Sequence, residues 1–480
     1  MNDSKITLAI ILIPLLGAFL LPILGRISQR VRNLSAFLFI LLPLILSLKL
    51  FPQVIKGPGV VSMFQMFPGI SFSFVIDGLS LFMAAVSSFI SAVIMLYSFE
   101  YISHYDNQDE YYTMVVLFLG SMMGIIFSAN LILLYIFWEI TAIASWRLIG
   151  FYRGDNDTLR ANKAFLVTVF GALVMLVGFI WLYQQTGSFD LAVIKSALKT
   201  GVLPDALVFL ILFGILSKSA TLPFQTWLPD AGVAPSPVTA LLHAAVLVKI
   251  GVYVFARLFI CTFSVSPIWH SVIPAIAALS AIVSGGAALL ETDIKRIIAY
   301  STISQIGFIF FGLSVGGNMA IAGALLLILV HGIGKAGLFL CAGIVEQNTK
   351  IKDITKLGGL IRTMPITAVS FLLCAFSIMG IPPFGGFFSK YLLFAGSFNS
   401  GHFIISFVFL FGAFLTILYL FRVFSLVFMG ESKINSKEGS VLMVVSVSIL
   451  GLLSLLSGVF ISYPMFWIQQ VIQQAAGVIR

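Results

Sequence analysis

In "LLYIFWEITAIASW", residues 133–146, Glu139 is a carboxylate set in the middle of an apolar run. It has basic counterparts: Lys218, His243, Lys249, His331, Lys335 and Lys390 each lie in or beside a long apolar run. An ionised group at the centre of a membrane helix costs at least about 2.5–3.5 kcal/mol on insertion scales, so such groups face a protein interior and find partners. One acid against four lysines and two histidines cannot be paired off one to one, so structural ion pairing does not account for the set. Moving one charge nearby tips a buried lysine between its protonated and neutral forms, and imidazole titrates near neutrality. The set reads as an ion-translocation relay, with Glu139 and Lys218 as its switchable pair. His331 and Lys335 are four residues apart and share a helix face. His243 and Lys249 are about 240° apart on an ideal helix, so they share a path only if the helix is distorted or water links them.

The elements that must hold these groups are membrane helices. Of 480 residues, 60% are hydrophobic and 9% charged, with a mean hydropathy of +1.10; soluble domains carry about 25% charged residues. Apolar runs of about 20 residues match a hydrocarbon core crossed by helices, and short alternating barrel segments are not the pattern. Fourteen spans start near residues 6, 34, 79, 112, 131, 164, 205, 236, 269, 293, 318, 363, 402 and 439. The expected fold is an all-α polytopic membrane protein, a single transmembrane domain over 1–480. The first run follows Lys5 with no small-residue cleavage site after it and reads as a retained helix.

Lysine and arginine sit mainly in loops after odd-numbered spans, including Arg26, Arg30, Arg32, Arg153, Lys295, Arg296, Lys350 and Lys352. The opposite side holds Lys5, Lys49, Lys56, Lys195, Lys199, Arg257 and Arg480. By the positive-inside rule the first side is cytoplasmic and both termini lie outside. Arg147, near the cytoplasmic end of span 5, is expected to snorkel to the headgroups.

Spans 7 and 12 are interrupted, by "SKSATLPFQTWLPDAG" and "IMGIPPFGGFFSK". Pro223, Pro382 and Pro383 remove backbone donors, and Gly380, Gly385 and Gly386 permit unwound peptide. Two such breaks five spans apart predict two five-helix units, about 112–260 and 269–429, with spans 1–3 and 14 peripheral. Five is odd, so the second unit is inverted, and inverted repeats with broken helices point to an ion pathway near the midplane. Asp77 is expected to cap span 3, with Asp230 and Asp293 capping cytoplasmic helix ends.

Much is excluded. The net charge of +9 comes from scattered loop cations and no patch, so no nucleic-acid partner is expected. Cys261, Cys341 and Cys374 form no close pair. No haem-ligand set, Fe–S cysteine cluster, Walker motif or Rossmann fingerprint appears, so no cofactor, metal or redox site is expected in this chain.

"FVIDGLSLFM", "FWEITAIASWRLIGFYR", "SKSATLPFQTWLPDAGVAPSPVTALLHAAVLVKIGVYVFAR", "TDIKRIIAYSTISQIGF", "HGIGKAGLFLCAGIV" and "GIPPFGGFFSK" together resemble the antiporter-like subunit family. This family comprises the proton-pumping membrane subunits of respiratory complex I, the large subunits of Mrp-type Na⁺/H⁺ antiporters, and the ion-pumping subunits of membrane-bound hydrogenase-type complexes. The resemblance runs from about residue 70 to 430. It implies fourteen helices with inverted five-helix repeats, a central hydrophilic axis parallel to the membrane, and the plasma membrane of a prokaryote. It implies as partners the bilayer, other integral membrane subunits, and H⁺ or Na⁺ as the moved ion. By position Glu139 resembles the family's span-5 glutamate, Lys218 its span-7 lysine, His243 and Lys249 the span-8 pair, His331 and Lys335 the span-11 relay, and Lys390 the terminal residue of span 12. The chain ends about 20 residues after span 14, like the shorter members, while the sequence around span 5 is similar to the long kind. The implied function is ion translocation within a respiratory or hydrogenase-type complex; the alternative is the large subunit of an Mrp-type antiporter without redox chemistry.

Overall fold

A computed structural model describes residues 3–67, 70–198, 202–434 and 436–475; Lys199 and Arg480, two of the cations used to orient the chain, lie outside them. Helices appear at all fourteen expected places. Twelve are unbroken and long and apolar enough to cross a membrane. In chain order these are spans 1 to 6 (Asp3–Ile27, Gln29–Val54, Gly78–Tyr101, Gln108–Phe127, Leu131–Ile149, Asp155–Thr186), span 8 (Ser236–Ile260), spans 9 to 11 (Trp269–Leu290, Ile294–Ser314, Asn318–Thr349), span 13 (Phe403–Phe428) and span 14 (Val441–Val459). Span 7 is Asp205–Lys218 followed, across a break, by the short helix Trp227–Asp230. Span 12 is Pro365–Met379 and Gly385–Asn399.

Spans 3, 4, 8, 10 and 11 are buried in the centre, as expected of helices that are apolar on every face. Spans 1, 2, 6, 13 and 14 lie outside them and expose large apolar side chains such as Phe19, Leu166, Phe411 and Leu452. Two features lie outside the fourteen expected spans. Gly59–Phe67 and Ile70–Ile76 pair as an antiparallel hairpin before span 3, and a terminal helix, Ser462–Ala475, folds back against spans 2 and 3. There Trp467 stacks on Phe51 at 3.7 Å and the Gln474 amide donates to the Val54 carbonyl at 2.8 Å.

The two broken spans are built alike. Before the first break the Thr221 amide donates to Leu216 O at 3.0 Å, and the Phe224 amide then donates to Thr221 O at 2.8 Å. In the second, Ile381 donates to Phe376 O at 3.1 Å and Phe384 to Ile381 O at 3.0 Å. Ala220 and Gly380 take positive φ at matching places, and the bonds Leu222–Pro223 and Pro382–Pro383 are both cis. Spans 6 and 11 each run 32 residues and end at a left-handed residue, Gly187 and Lys350. The chain beyond each then pairs with the start of the span before it. Leu131 N donates to Phe189 O at 2.9 Å and Leu191 N to Ala129 O at 3.0 Å; Ile294 N donates to Lys352 O and Ile354 N to Thr292 O, both at 3.0 Å. Span 4 packs on 5, 5 on 6 and 6 on 7, as 9 packs on 10, 10 on 11 and 11 on 12.

Candidate functional site

Local backbone positions each polar side chain. Span 7 stops at Lys218 because the chain unwinds toward Pro223, which leaves the lysine at the last turn of a half-helix with no exposed surface. Its Nζ donates to the carbonyl of Trp138 at 3.3 Å and lies 5.4 Å from the centre of the Trp138 ring. Glu139 is the next residue along. Lys218 and the hydroxyl of Tyr135, one turn earlier on span 5, are the groups that act on its carboxylate. Among the described residues no ion pair joins Glu139 to Lys218, and Glu139 Oε1 is buried without a hydrogen-bond partner. The expected pair is brought together but is not closed.

Span 8 is distorted between its two candidate groups. Leu241–Ala245, which carries His243, is a π-helical turn, and Val246 at φ −124°, ψ −73° breaks the α geometry before Lys249. The wider turn changes the angular step, so the 240° separation of an ideal helix does not apply. His243 is fully buried with its ring 4.5 Å from that of Phe339, and among the described residues neither of its ring nitrogens has a hydrogen-bond partner. Lys249 Nζ hydrogen-bonds His331 Nδ1 at 2.9 Å and donates to Ile328 O at 3.2 Å.

On span 11, His331 and Lys335 do not bond each other. His331 turns to Lys249, and its Nε2 is buried and unpartnered. Lys335 Nζ donates to Ser301 Oγ at 2.5 Å and to Ile298 O at 3.1 Å on span 10, and Ser301 in turn meets the Tyr419 hydroxyl at 2.8 Å. Lys390 caps the carbonyls released at the span-12 break, donating to Ile378 O at 2.8 Å and Met379 O at 3.0 Å, with Phe308 beneath it at 5.2 Å. Lys335 lies within electrostatic reach of His243, His331, Lys249 and Lys390, and His331 of Lys249 and His243, which links the five. The set therefore falls into two groups, Glu139 with Lys218 and the five-membered cluster. Span 8 meets span 7 beside them: a side chain at Gly251 would strike Ser219.

The helix breaks are built around close backbone approach. A Cβ on Gly386 would collide with the Ser377 carbonyl, and Pro223, Pro382, Pro383 and Gly385 lie in the unwound segments or at their edges.

Of the expectations for other charges, two caps form as expected and the rest change. Asp77 caps span 3 with Ser80 in a reciprocal capping box, at 2.9 and 3.0 Å, and Asp293 caps span 10 through the amides of Lys295 and Arg296. Asp230 caps nothing; it pairs with Lys163 at 2.7 Å and Arg296 at 2.9 Å, tying the second half of span 7 to spans 6 and 10. Arg147 does not reach for headgroups, because Glu110 holds it in an ion pair. Arg257 is no loop cation. It is 3% exposed and grips Asp77 with two nitrogens at 2.5 and 2.8 Å. Lys295, also assigned to a loop, is buried against Glu346 at 3.1 Å. Arg257 sits inside the apolar run "VYVFARLFI", which is the signal that a loop assignment overlooks. Among the described residues no group of three or more His, Cys, Asp and Glu is placed to hold a metal ion.

The family model described as NADH:quinone oxidoreductase/Mrp antiporter, TM, matches residues 128–416, and that for the N-terminus of complex I chain 5 matches 67–112. The chain is 34% identical to a Na(+)/H(+) antiporter subunit from Alkalihalophilus pseudofirmus over 93% of its own length and 60% of that protein's. It is 37% identical to an NADH-quinone oxidoreductase subunit from Campylobacter jejuni over 83% of its length and 67% of that protein's. It thus spans about three fifths to two thirds of these relatives. A chain of the membrane-bound sulfane sulfur reductase, an archaeal respiratory membrane complex, superposes with a TM-score of 0.89 at 24% identity, covering 99% of this chain and 100% of that one, a likeness of fold. With more than half of its length inside one family model, and with the broken helices and their buried bases within that stretch, the chain belongs to the NADH:quinone oxidoreductase/Mrp antiporter transmembrane family.

Proposed function

We propose that the chain is the ion-translocating subunit of a multi-subunit membrane complex, carrying H⁺ or Na⁺ by a relay of Glu139, Lys218, His243, Lys249, His331, Lys335 and Lys390, and that the driving reaction resides in other subunits. The observation that carries this reading is the Lys249–His331 bond within a buried cluster of five bases. Two basic groups share one hydrogen bond at 2.9 Å, and among the described residues no acid bonds either of them, an arrangement in which only one of them readily holds the proton. A structural core has no use for such a pair, and a relay needs it. Among the described residues no side chain or carbonyl claims His243 Nδ1, His243 Nε2 or His331 Nε2, so these nitrogens can exchange a proton along the same path.

The relatives, one named for an antiporter and one for a quinone oxidoreductase, leave two settings: a respiratory, complex I-related or hydrogenase-type complex, and an Mrp-type secondary antiporter. Both use the same chain chemistry and differ in partners. On this reading spans 4–8 and 9–13 are inverted repeats, supported by the matched breaks and cap pairings; both termini face outward, and the complex sits in the plasma membrane of a prokaryote. Glu139→Gln and Lys218→Ala are expected to abolish ion transport in membrane vesicles while the protein still assembles with its partners. Wild-type transport in either variant would overturn the reading. The chains that copurify with the native complex, redox modules or small membrane proteins alone, decide between the settings.

A further inference from the structure

Lys249 is followed on span 8, at four-residue intervals, by Tyr253 and Arg257, and all three are buried. Arg257 Nε donates to the Tyr253 hydroxyl at 2.9 Å, and Tyr253 donates to the carbonyl of Ile126 on span 4. Beyond Arg257 and its partner Asp77 lies a cavity of about 740 Å³, lined also by Asp190, Lys195, Thr262 and Gln474. It sits at the face where span 3 begins and span 8 ends, the face that the positive-inside rule places outside. A row of polar groups thus runs from the central cluster to a cavity, with one ion pair at its floor.

We propose that the Asp77–Arg257 pair is the outer gate of the proton path, with the cavity as its vestibule; this rests on the translocation reading. Guanidinium keeps its proton in proteins, so Arg257 is a fixed positive charge across the path, and a fixed positive charge excludes cations unless it is offset. Asp77 supplies the offset and also the landing group. In an outward step an N–H bond of the Lys249 ammonium breaks and, through water alongside Tyr253, an O–H bond forms on the Asp77 carboxylate. The neutral acid holds Arg257 less firmly, the proton passes to water in the vestibule, and the reformed carboxylate closes the pair again.

The test uses the full chain with its native partner subunits in everted membrane vesicles, read as proton translocation by a ΔpH dye, with protein levels followed by immunoblot. Asp77→Asn keeps a good helix cap but leaves Arg257 uncompensated, and is expected to slow transport at least about tenfold. Arg257→Gln removes the barrier and leaves the carboxylate and is expected to transport within about threefold of wild type, whereas Asp77→Asn combined with Arg257→Gln removes the barrier and the landing group together and is expected to fall between the two single variants. A purely structural tie predicts that Arg257→Gln is as damaging as Asp77→Asn and that the double variant does no better; that result overturns the gate. If Asp77→Asn does not accumulate, Arg257→Gln decides alone, retained transport supporting the gate and lost transport refuting it. Glu139→Gln run beside them separates the two ideas: transport lost there but unaffected in Asp77→Asn rejects only the gate, whereas transport unaffected in Glu139→Gln rejects the relay itself.

Discussion

Lys335→Met should leave the protein as stable as before while stopping transport, and the structure gives the size of each side. Lys335 Nζ makes two hydrogen bonds, each worth about 1.5–3 kcal/mol where a charged group is involved. Neither acceptor is orphaned by the change. Ser301 Oγ keeps the Tyr419 hydroxyl, and Ile298 O keeps the Thr302 hydroxyl at 3.1 Å. Against the lost bonds stands the release of a desolvated ammonium, several kcal/mol for a buried ion, with methionine filling nearly the same volume. The sum lies within about 2 kcal/mol of zero. Lys249→Met differs in one respect: it strips His331 Nδ1 of its partner when Nε2 already has none. A buried unsatisfied group costs about 1–3 kcal/mol, so Lys249→Met should be the less stable by that amount. Thermal unfolding of the purified complex measures the difference, and proton uptake by everted vesicles measures transport. A Lys335→Met protein destabilised by more than about 3 kcal/mol that still pumps would show these lysines to be structural.

The helix breaks and the surface ion pairs respond to substitution in ways the same contacts fix. Ala220 takes φ +51° where Gly380 stands at the equivalent break; a left-handed conformation costs a non-glycine residue about 1–2 kcal/mol, and glycine returns up to about 1 kcal/mol through the unfolded chain, so Ala220→Gly should stabilise by about 0.5–1 kcal/mol in thermal unfolding. Gly386→Ala drives a methyl into the Ser377 carbonyl, and the protein should fail to accumulate in membranes; normal levels would mean the break is pliable. Asp230→Ala severs two partly exposed ion pairs, worth about 0.2–1 kcal/mol each, so it should cost about 0.5–2 kcal/mol in stability.

The spans were legible because each is a long apolar run, and the breaks because proline and glycine interrupt two of them. The individual contacts were not. Spacing puts His331 and Lys335 on one face, yet His331 bonds across to Lys249 because span 8, not span 11, offers it a partner. Spacing also puts His243 and Lys249 on different faces, and nothing in "LLHAAVLVK" announces the π-turn that alters this. Arg257 and Lys295 illustrate a limit of charge counting: both stand near span ends, and burial against Asp77 and Glu346 takes them out of the loops. The strand pair announces itself only by the alternation in "SMFQMF" and "ISFSF" on either side of a Pro-Gly dipeptide, a signal far shorter than the apolar runs that mark the spans.

On the proposed inverted-repeat reading, the two halves match in their breaks and caps but not in their chemistry. Counting in step from the matched caps Asn130 and Asp293, Glu139 falls opposite Thr302, whose hydroxyl only bonds back to Ile298. Counting from the matched breaks at Thr221 and Ile381, Lys218 falls opposite Ile378, an apolar residue whose carbonyl receives Lys390, and Lys390 itself falls opposite Asp230, which is spent on Lys163 and Arg296. The acid and its lysine thus belong to the first half alone, and the second half answers with a lysine at a place where the first holds a structural aspartate. A symmetric path would carry charge equally well in either sense. In this chain a charge entering the first half meets a Glu–Lys pair that can open and close, whereas one entering the second meets Lys390 on fixed carbonyls. On the translocation reading the driving reaction in other subunits sets the direction, and Glu139 with Lys218 is the element of this chain that it can switch, which is why the carboxylate stands alone among bases.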